Sequence, residues 1–163
     1  LKDVKIFASS GFDEHKIAQV IEDGAKIDAF GVGTKLGVSA DAPYFDIVYK
    51  MVHFRGRDIR KLSPGKVNLA GEKQVFRKTD GNGSYIEDII GLKNETPPAD
   101  SRPLLETVME SGQRIMAEPS LEDIRSSVKT NLSRLGEPYK ALTGAKEFPV
   151  KISERLSEIQ QEN

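Results

Sequence analysis

The stretch VKIFASSGFDEHKIAQVIEDGAKIDAFGVGT, Val4 to Thr34, decides the fold. Val4 to Ala8 reads as a short buried strand, apolar and partly β-branched or aromatic. Ser9-Ser10-Gly11 follows as a small polar turn. Asp13 to Asp23 reads as a helix: Ile17, Val20 and Ile21 share a face, Asp13 and Glu14 sit in the first turn, and Gly24 can end it at positive φ. Ile27 to Phe30 is a second strand running into Gly31-Val32-Gly33-Thr34. A helical connection between two strands makes them parallel neighbours, and such strands belong to α/β folds with both sheet faces covered.

Beyond this unit the pattern changes. Asp46 to Arg55 mixes apolar and polar residues. Lys73 to Lys78 and Tyr85 to Gly91 read as strands about Asp80-Gly81-Asn82-Gly83, a hairpin turn signal. Asn94 to Asp100, with Pro97-Pro98, reads as a loop. Leu104 to Glu110 and Gln113 to Met116 form a second hairpin about Ser111-Gly112. Ser120 and Asp123 begin a helix with an apolar stripe of Leu121, Ile124, Val128, Leu132 and Leu135, ended by Gly136. A shorter helix covers Ser153 to Gln160. The expected organisation is strands and loops of a parallel sheet over residues 1–50, then a mixed antiparallel and helical region over 51–163. Two parallel strands do not make a stable sheet, and an intact β/α barrel needs about 250 residues. The chain also opens at Leu1 and not at methionine. The expectation is a piece of a longer protein.

Composition narrows the chemistry. The 163 residues carry a formal net charge of −1, which does not point to nucleic acid or a membrane surface as the main partner. With no cysteine, thiolate catalysis and cysteine-ligated zinc are excluded, and a reducing cytosol is compatible. No apolar run approaches the ~20 residues of a membrane helix.

Two turns stand at the C-terminal ends of adjacent parallel strands, where α/β folds bind ligands. Ser9-Ser10-Gly11 brings hydroxyls and backbone N–H groups to a helix start, which suits an anion. In the second turn glycine lets the backbone approach a phosphate and Thr34 can donate its hydroxyl. Either turn alone can equally be a plain turn or a helix cap. A basic segment follows: Lys50, Arg55, Arg57, Arg60, Lys61, Lys66, Lys73, Arg77 and Lys78 face only Asp58 and Glu72 as acids within it. It suits phosphate, pyrophosphate or RNA, or is a solvated face. His15 and His53 have no metal-ligand spacing, and an acid–base role for either has no support. Asp41 can contact a ribose or cap the turn before Pro43.

The stretches ASSGFDEHKI (8–17), GAKIDAFGVGTKL (24–36), DAPYFDIVYKMV (41–52), KLSPGKVNLAGEKQVFRK (61–78), PSLEDIRSSVKTNLSRL (119–135) and YKALTGAKEFPVKIS (139–153) resemble nicotinate phosphoribosyltransferases, of the type II phosphoribosyltransferase family. The FGVGT run followed by DAP and VYK carries most of the resemblance. Phe12 departs from it, standing where relatives often have leucine.

The resemblance implies an irregular α/β, TIM-like barrel with an additional antiparallel-sheet and helical C-terminal region, working as a cytoplasmic homodimer. It implies formation of nicotinate mononucleotide and pyrophosphate from nicotinate and phosphoribosyl pyrophosphate, assisted by Mg2+ and driven by ATP through a phosphohistidine, in NAD biosynthesis. Ser10, Gly11, Gly33 and Thr34 would hold the 5′-phosphate. Asp41 would lie near base and ribose, and Lys66 and Lys73 would fall in a basic loop near the phosphates or the ATP site. The phosphorylated histidine, the nicotinate-binding residues and the metal ligands would lie upstream, and neither His15 nor His53 matches that histidine. No catalytic residue or metal ligand is thus expected here, and the chain alone is expected to be inactive, its partner being the N-terminal part of the same enzyme. The alternatives are a nicotinamide or quinolinate phosphoribosyltransferase, a non-catalytic phosphate- or nucleotide-binding module, and RNA binding through the basic segment.

Overall fold

The computed structural model describes residues 3–44 and 47–161. It divides into two compact units, Leu1–Val48 and Tyr49–Asn163.

The first unit is a strand–helix–strand–helix sequence: β1 (Phe7–Ser9), α1 (Glu14–Glu22), β2 (Ala29–Gly31) and α2 (Thr34–Gly37). β1 and β2 pair in parallel, Phe7 opposite Ala29 and Ser9 opposite Gly31. The strands are shorter than the sequence suggests. Asp28 accounts for one end, because its carboxylate accepts the Ile6 N–H at 2.7 Å and the Ile6 carbonyl receives the Asp28 and Ala29 N–H groups. Ladder pairing therefore begins at Phe7, and Val4 to Ile6 is irregular. The expectation of burial on both faces also fails within this chain. Val4, Ile6 and Phe7 are 62%, 52% and 67% exposed, because the sheet of this unit has only two strands among the described residues. No barrel forms among the described residues.

Asp13 caps α1 with its side chain accepting the Lys16 N–H at 2.9 Å, and Gly24 takes φ +81° just after the helix, as its position demands. Phe12 meets Phe30 edge to face at 5.1 Å, so aromatic packing and not leucine fills this contact.

The second unit is built on a four-stranded sheet in the order β10-β6-β5-β7. Before it come the two-residue strands β3 (His53–Phe54) and β4 (Arg57–Asp58), paired to each other. Then β5 (Lys73–Thr79) and β6 (Tyr85–Leu92) form the expected hairpin. Asp80 organises its turn, its side chain accepting the Asn82 and Ser84 N–H groups at 2.9 and 2.8 Å. β7 (Ser101–Pro103) adds to the other edge of β5.

The second hairpin shrinks to β8 (Met109–Glu110) and β9 (Gln113–Arg114), about Ser111 and Gly112 at φ 50° and 79°. Leu104 and Leu105 stay with β5 instead: the Leu104 N–H bonds the Val75 carbonyl and the Leu105 N–H the Gln74 side chain, both at 2.8 Å. α3 (Leu121–Arg134) has a complete capping box, with Asp123 N–H to Ser120 Oγ and Ser120 N–H to Asp123 Oδ2 both at 3.1 Å. Its apolar stripe lies open in this chain, with Leu121 86% exposed. A single 3-10 turn (Glu137–Tyr139) leads on to β10 (Val150–Ile152), which pairs parallel to β6, and to α4 (Glu154–Gln161).

The core of this unit is Ala70, Phe76, Tyr85 and Leu156, all buried. Leu156 brings α4 onto the sheet. Ser153 Oγ accepts the Leu156 N–H at 3.1 Å and donates to Glu95 at 2.8 Å, so the helix start is tied to the end of β6. Gln160 closes the far end by exchanging hydrogen bonds with both backbone groups of Ala70. Gly71 lies at φ +87° with Ile159 and Leu92 about it, and a Cβ there would sit 2.9 and 3.0 Å from their methyl groups.

Candidate functional site

Parallel pairing ends at Ser9 and Gly31, and both chains leave the sheet on the same side. The turns they enter, Ser9-Ser10-Gly11 and Gly31-Val32-Gly33-Thr34, line one open cavity of about 480 Å3, together with Phe12 and Lys35. All four residues expected to hold phosphate, Ser10, Gly11, Gly33 and Thr34, are thus brought together.

The backbone explains the residue types. Ser10 and Gly11 occupy consecutive left-handed conformations, φ 81° and 69°. Glycine takes that region without cost, whereas a serine there is uncommon and stores strain, a feature that gathers at ligand sites. The glycines of the second turn differ from each other. A Cβ on Gly31 would come within 3.1 Å of both the Phe7 ring and Ser9 Cβ, so Gly31 serves packing across the sheet. Gly33 has nothing within 4 Å of such a Cβ. Its bare backbone faces open space at the start of α2, which has no side-chain cap.

One expectation needs correcting. The start of α1 already holds a carboxylate, because Asp13 caps it and takes the Lys16 N–H that the reading of Ser9-Ser10-Gly11 left to an anion. Its other oxygen accepts from the Lys35 ammonium at 2.5 Å. Asp13 is buried, and the Lys35 hydrogen bond, with help from the Lys16 N–H, holds its carboxyl down at about 2. The same contact raises the Lys35 pKa. Lys35 is the member of the site that sequence reasoning missed. Its signal was weak: one lysine directly after Gly33-Thr34, with its partner 22 residues earlier.

Asp41 lines a neighbouring cavity of about 250 Å3 with Asp13, Glu14, His15, Lys35 and Ala40, so Lys35 belongs to the walls of both cavities. His15 is exposed, 3.9 Å from Glu14, and the phosphate-turn cavity has no histidine in its lining.

The remaining candidates lie in the second unit. Lys73 is on β5 and not in a loop. Its ammonium donates to the Leu69 and Gly71 carbonyls at 2.7 and 2.6 Å, and burial lowers its pKa. It braces the chain entering the sheet. Lys66 is exposed, and its N–H closes a turn onto Ser63.

The basic segment is also less basic than its linear composition. Arg77 makes a two-pronged ion pair with Asp88 at 2.8 and 2.7 Å, its guanidinium lying over Tyr85 and Phe148. Lys78 lies 3.9 Å from Glu87, which also accepts Lys151 at 2.5 Å. His53 bonds Asp58 at 2.8 Å. Glu87 and Asp88 stand on β6, beyond the basic segment, whereas Asp58 lies within it. Arg55, Arg57 and Arg60 do line a cavity of about 580 Å3 with Phe54, Asp58, Ile59 and Leu62, larger than the one at the two glycine turns. Size alone does not select it, because it is built on the antiparallel β3–β4 pair and not at the ends of parallel strands, where such folds bind phosphate.

Among the described residues no group of three or more His, Asp or Glu side chains is placed to hold a metal ion, and no helix is long and apolar enough to cross a membrane.

Residues 96–160 match the family "Nicotinate phosphoribosyltransferase C-terminal domain". Over 159 residues and 96% of its length the chain is 41% identical to a nicotinate phosphoribosyltransferase of Mycobacterium tuberculosis, covering 34% of that protein. It is 34% identical to the Bacillus subtilis enzyme of the same name, over 93% of this chain and 37% of that one. The crystal structure of human nicotinic acid phosphoribosyltransferase superposes with a TM-score of 0.75 at 25% identity, over 99% of this chain and 33% of that one. The chain thus spans about a third of the length of these relatives.

Proposed function

The chain belongs to the nicotinate phosphoribosyltransferase family, as part of its C-terminal region, and on that premise we propose that its two glycine turns hold the 5′-phosphate of phosphoribosyl pyrophosphate while nicotinate is joined to the ribose. The observation that carries this reading is the convergence of Ser10, Gly11, Gly33 and Thr34 on one cavity at the ends of parallel strands.

In such a transfer the pyridine nitrogen of nicotinate bonds to ribose C1 as the bond from C1 to pyrophosphate breaks. A phosphate fixed at the far end of the sugar removes its rotational freedom and lines C1 up with the incoming base. Backbone N–H groups and the Thr34 hydroxyl donate to phosphate oxygens, and glycine lets them come close. The part played by this chain is positioning, with proton transfer and base recognition left to residues outside it. In this reading Asp41, which lines the cavity that shares Lys35, meets the ribose side of the same ligand. We read β1 and β2 as two adjacent strands of a larger irregular barrel. Their parallel pairing and exposed apolar faces support that reading. Homodimer formation, Mg2+ and ATP dependence and a cytoplasmic setting belong to the same proposal for the whole protein.

The test is Thr34→Val and Gly33→Val in the intact protein. Both are expected to raise KM for the phosphoribosyl donor by about tenfold or more, through a lost charge-assisted hydrogen bond and a blocked backbone approach. Steady-state kinetics check it, and an unchanged donor KM in both variants overturns the assignment. Competition among nicotinate, nicotinamide and quinolinate as acceptors settles the base.

A further inference from the structure

Beyond Ser9 and Gly31, no backbone hydrogen bond joins the two turns among the described residues. They are joined through side chains instead. Asp13, two positions after Gly11, bonds Lys35, the residue after Thr34. Asp13 is buried and committed on both oxygens, one to the Lys16 N–H capping α1 and one to the Lys35 ammonium. Lys16 in turn sends its ammonium back to the Gly11 carbonyl at 2.8 Å. The chain of contacts runs from the first turn through the start of α1 to α2. α2 itself spans only Thr34–Gly37, a length that does not hold its place by helix formation alone.

We propose that the Asp13–Lys35 ion pair is the positioning device of the phosphate site, holding the Ser10-Gly11 and Gly33-Thr34 turns at one spacing and so setting affinity for the phosphoribosyl donor. The proposal rests on the functional reading above. It assigns Lys35 a role through Asp13 and not as an independent ligand of the phosphate. The two roles predict opposite behaviour at Asp13. If Lys35 served the phosphate directly, loss of the Asp13 charge would release its ammonium toward the ligand and tighten binding. If the pair sets the spacing, the same change weakens binding.

Donor KM and kcat are to be measured in the intact protein for Asp13→Asn, Lys35→Met, the double variant and Lys35→Arg, beside Thr34→Val. Asparagine remains a good helix cap, so Asp13→Asn keeps α1 while removing the charge. Each single variant is expected to raise donor KM about tenfold with kcat within about twofold, and the double variant to match the singles, because one interaction is lost in all three. Lys35→Arg is expected to recover most of the loss. Tighter or unchanged donor binding in Asp13→Asn, or effects that multiply in the double variant, overturns the proposal. If Thr34→Val raises KM while Asp13→Asn does not, the bridge fails and the phosphate site stands. If Thr34→Val also leaves KM unchanged, the phosphate site fails and the bridge falls with it.

Discussion

The two units spend their charged and apolar groups in opposite ways. In the second unit the cations of β5 are consumed: Arg77 by Asp88, Lys78 near Glu87, and Lys73 by two carbonyls. Its buried core includes Phe76 on the sheet and Leu156 on α4, which packs against β6. In the first unit the sheet is a pair of strands with Phe7 exposed, yet the turns beyond it combine left-handed backbone at Ser10 and Gly11 with an uncapped helix start at Gly33. The difference teaches that a run of lysine and arginine says little about available charge until the facing strand is known.

The sharpest way to break this contrast is at the core of the second unit. Phe76 is 2% exposed, and Phe76→Ala is expected to cost about 3–5 kcal/mol in urea unfolding of the intact protein. A loss below about 1 kcal/mol would deny that this unit has a core of its own.

A smaller effect separates Gly31 and Gly33, the two glycines of the second turn. Gly31→Ala crowds Phe7 and Ser9 and is expected to destabilise by about 1–3 kcal/mol, whereas Gly33→Ala meets open space and should change stability by less than about 0.5 kcal/mol. Thermal unfolding of the pair checks this. Equal losses would mean that Gly33 also serves packing and would weaken its assignment to ligand approach.

The smallest effect is the acid response of the first unit. Asp13 is lowered from 3.8 to about 2, chiefly by the Lys35 hydrogen bond. A depressed carboxyl contributes its stability above the unfolded pKa and loses it as pH falls through the folded one. The advantage of the native chain over Asp13→Asn should therefore hold at neutral pH and shrink between about pH 4 and pH 2. Lys35 gives the mirror image: its pKa is raised above 10.5, so its contribution is full below that value and fades at higher pH. Unfolding of both proteins as a function of pH measures the first window. A difference that persists unchanged below pH 2 would show that the pair is not what separates them.

Much of this was legible along the chain. Asp13 to Asp23 holds a helix between its caps, Asp80 to Gly83 a hairpin turn, and Ser120 with Asp123 a complete capping box, because each depends on neighbours within a few residues. The placement of Ser10, Gly11, Gly33 and Thr34 on one cavity was also legible, since parallel pairing through a helical crossover puts both turns at the same sheet end. β10 was not. Val150 to Ile152 is three residues after Pro149, too short for periodicity, and it becomes a strand only because β6 offers it an edge. Lys73 opens β5, as its strand pattern has it, and the basic loop that the resemblance implied for it fails because burial turns its ammonium onto local carbonyls.

The sequence by itself determined the local elements, the parallel pair and the residues of the two turns, because spacing, capping and glycine conformation act over short distances. Only the tertiary structure decided which charges cancel, which glycine is needed for packing and that Lys35 reaches Asp13. Those outcomes depend on what stands opposite in space, and residues 11 or 22 positions apart leave no periodic trace of their meeting.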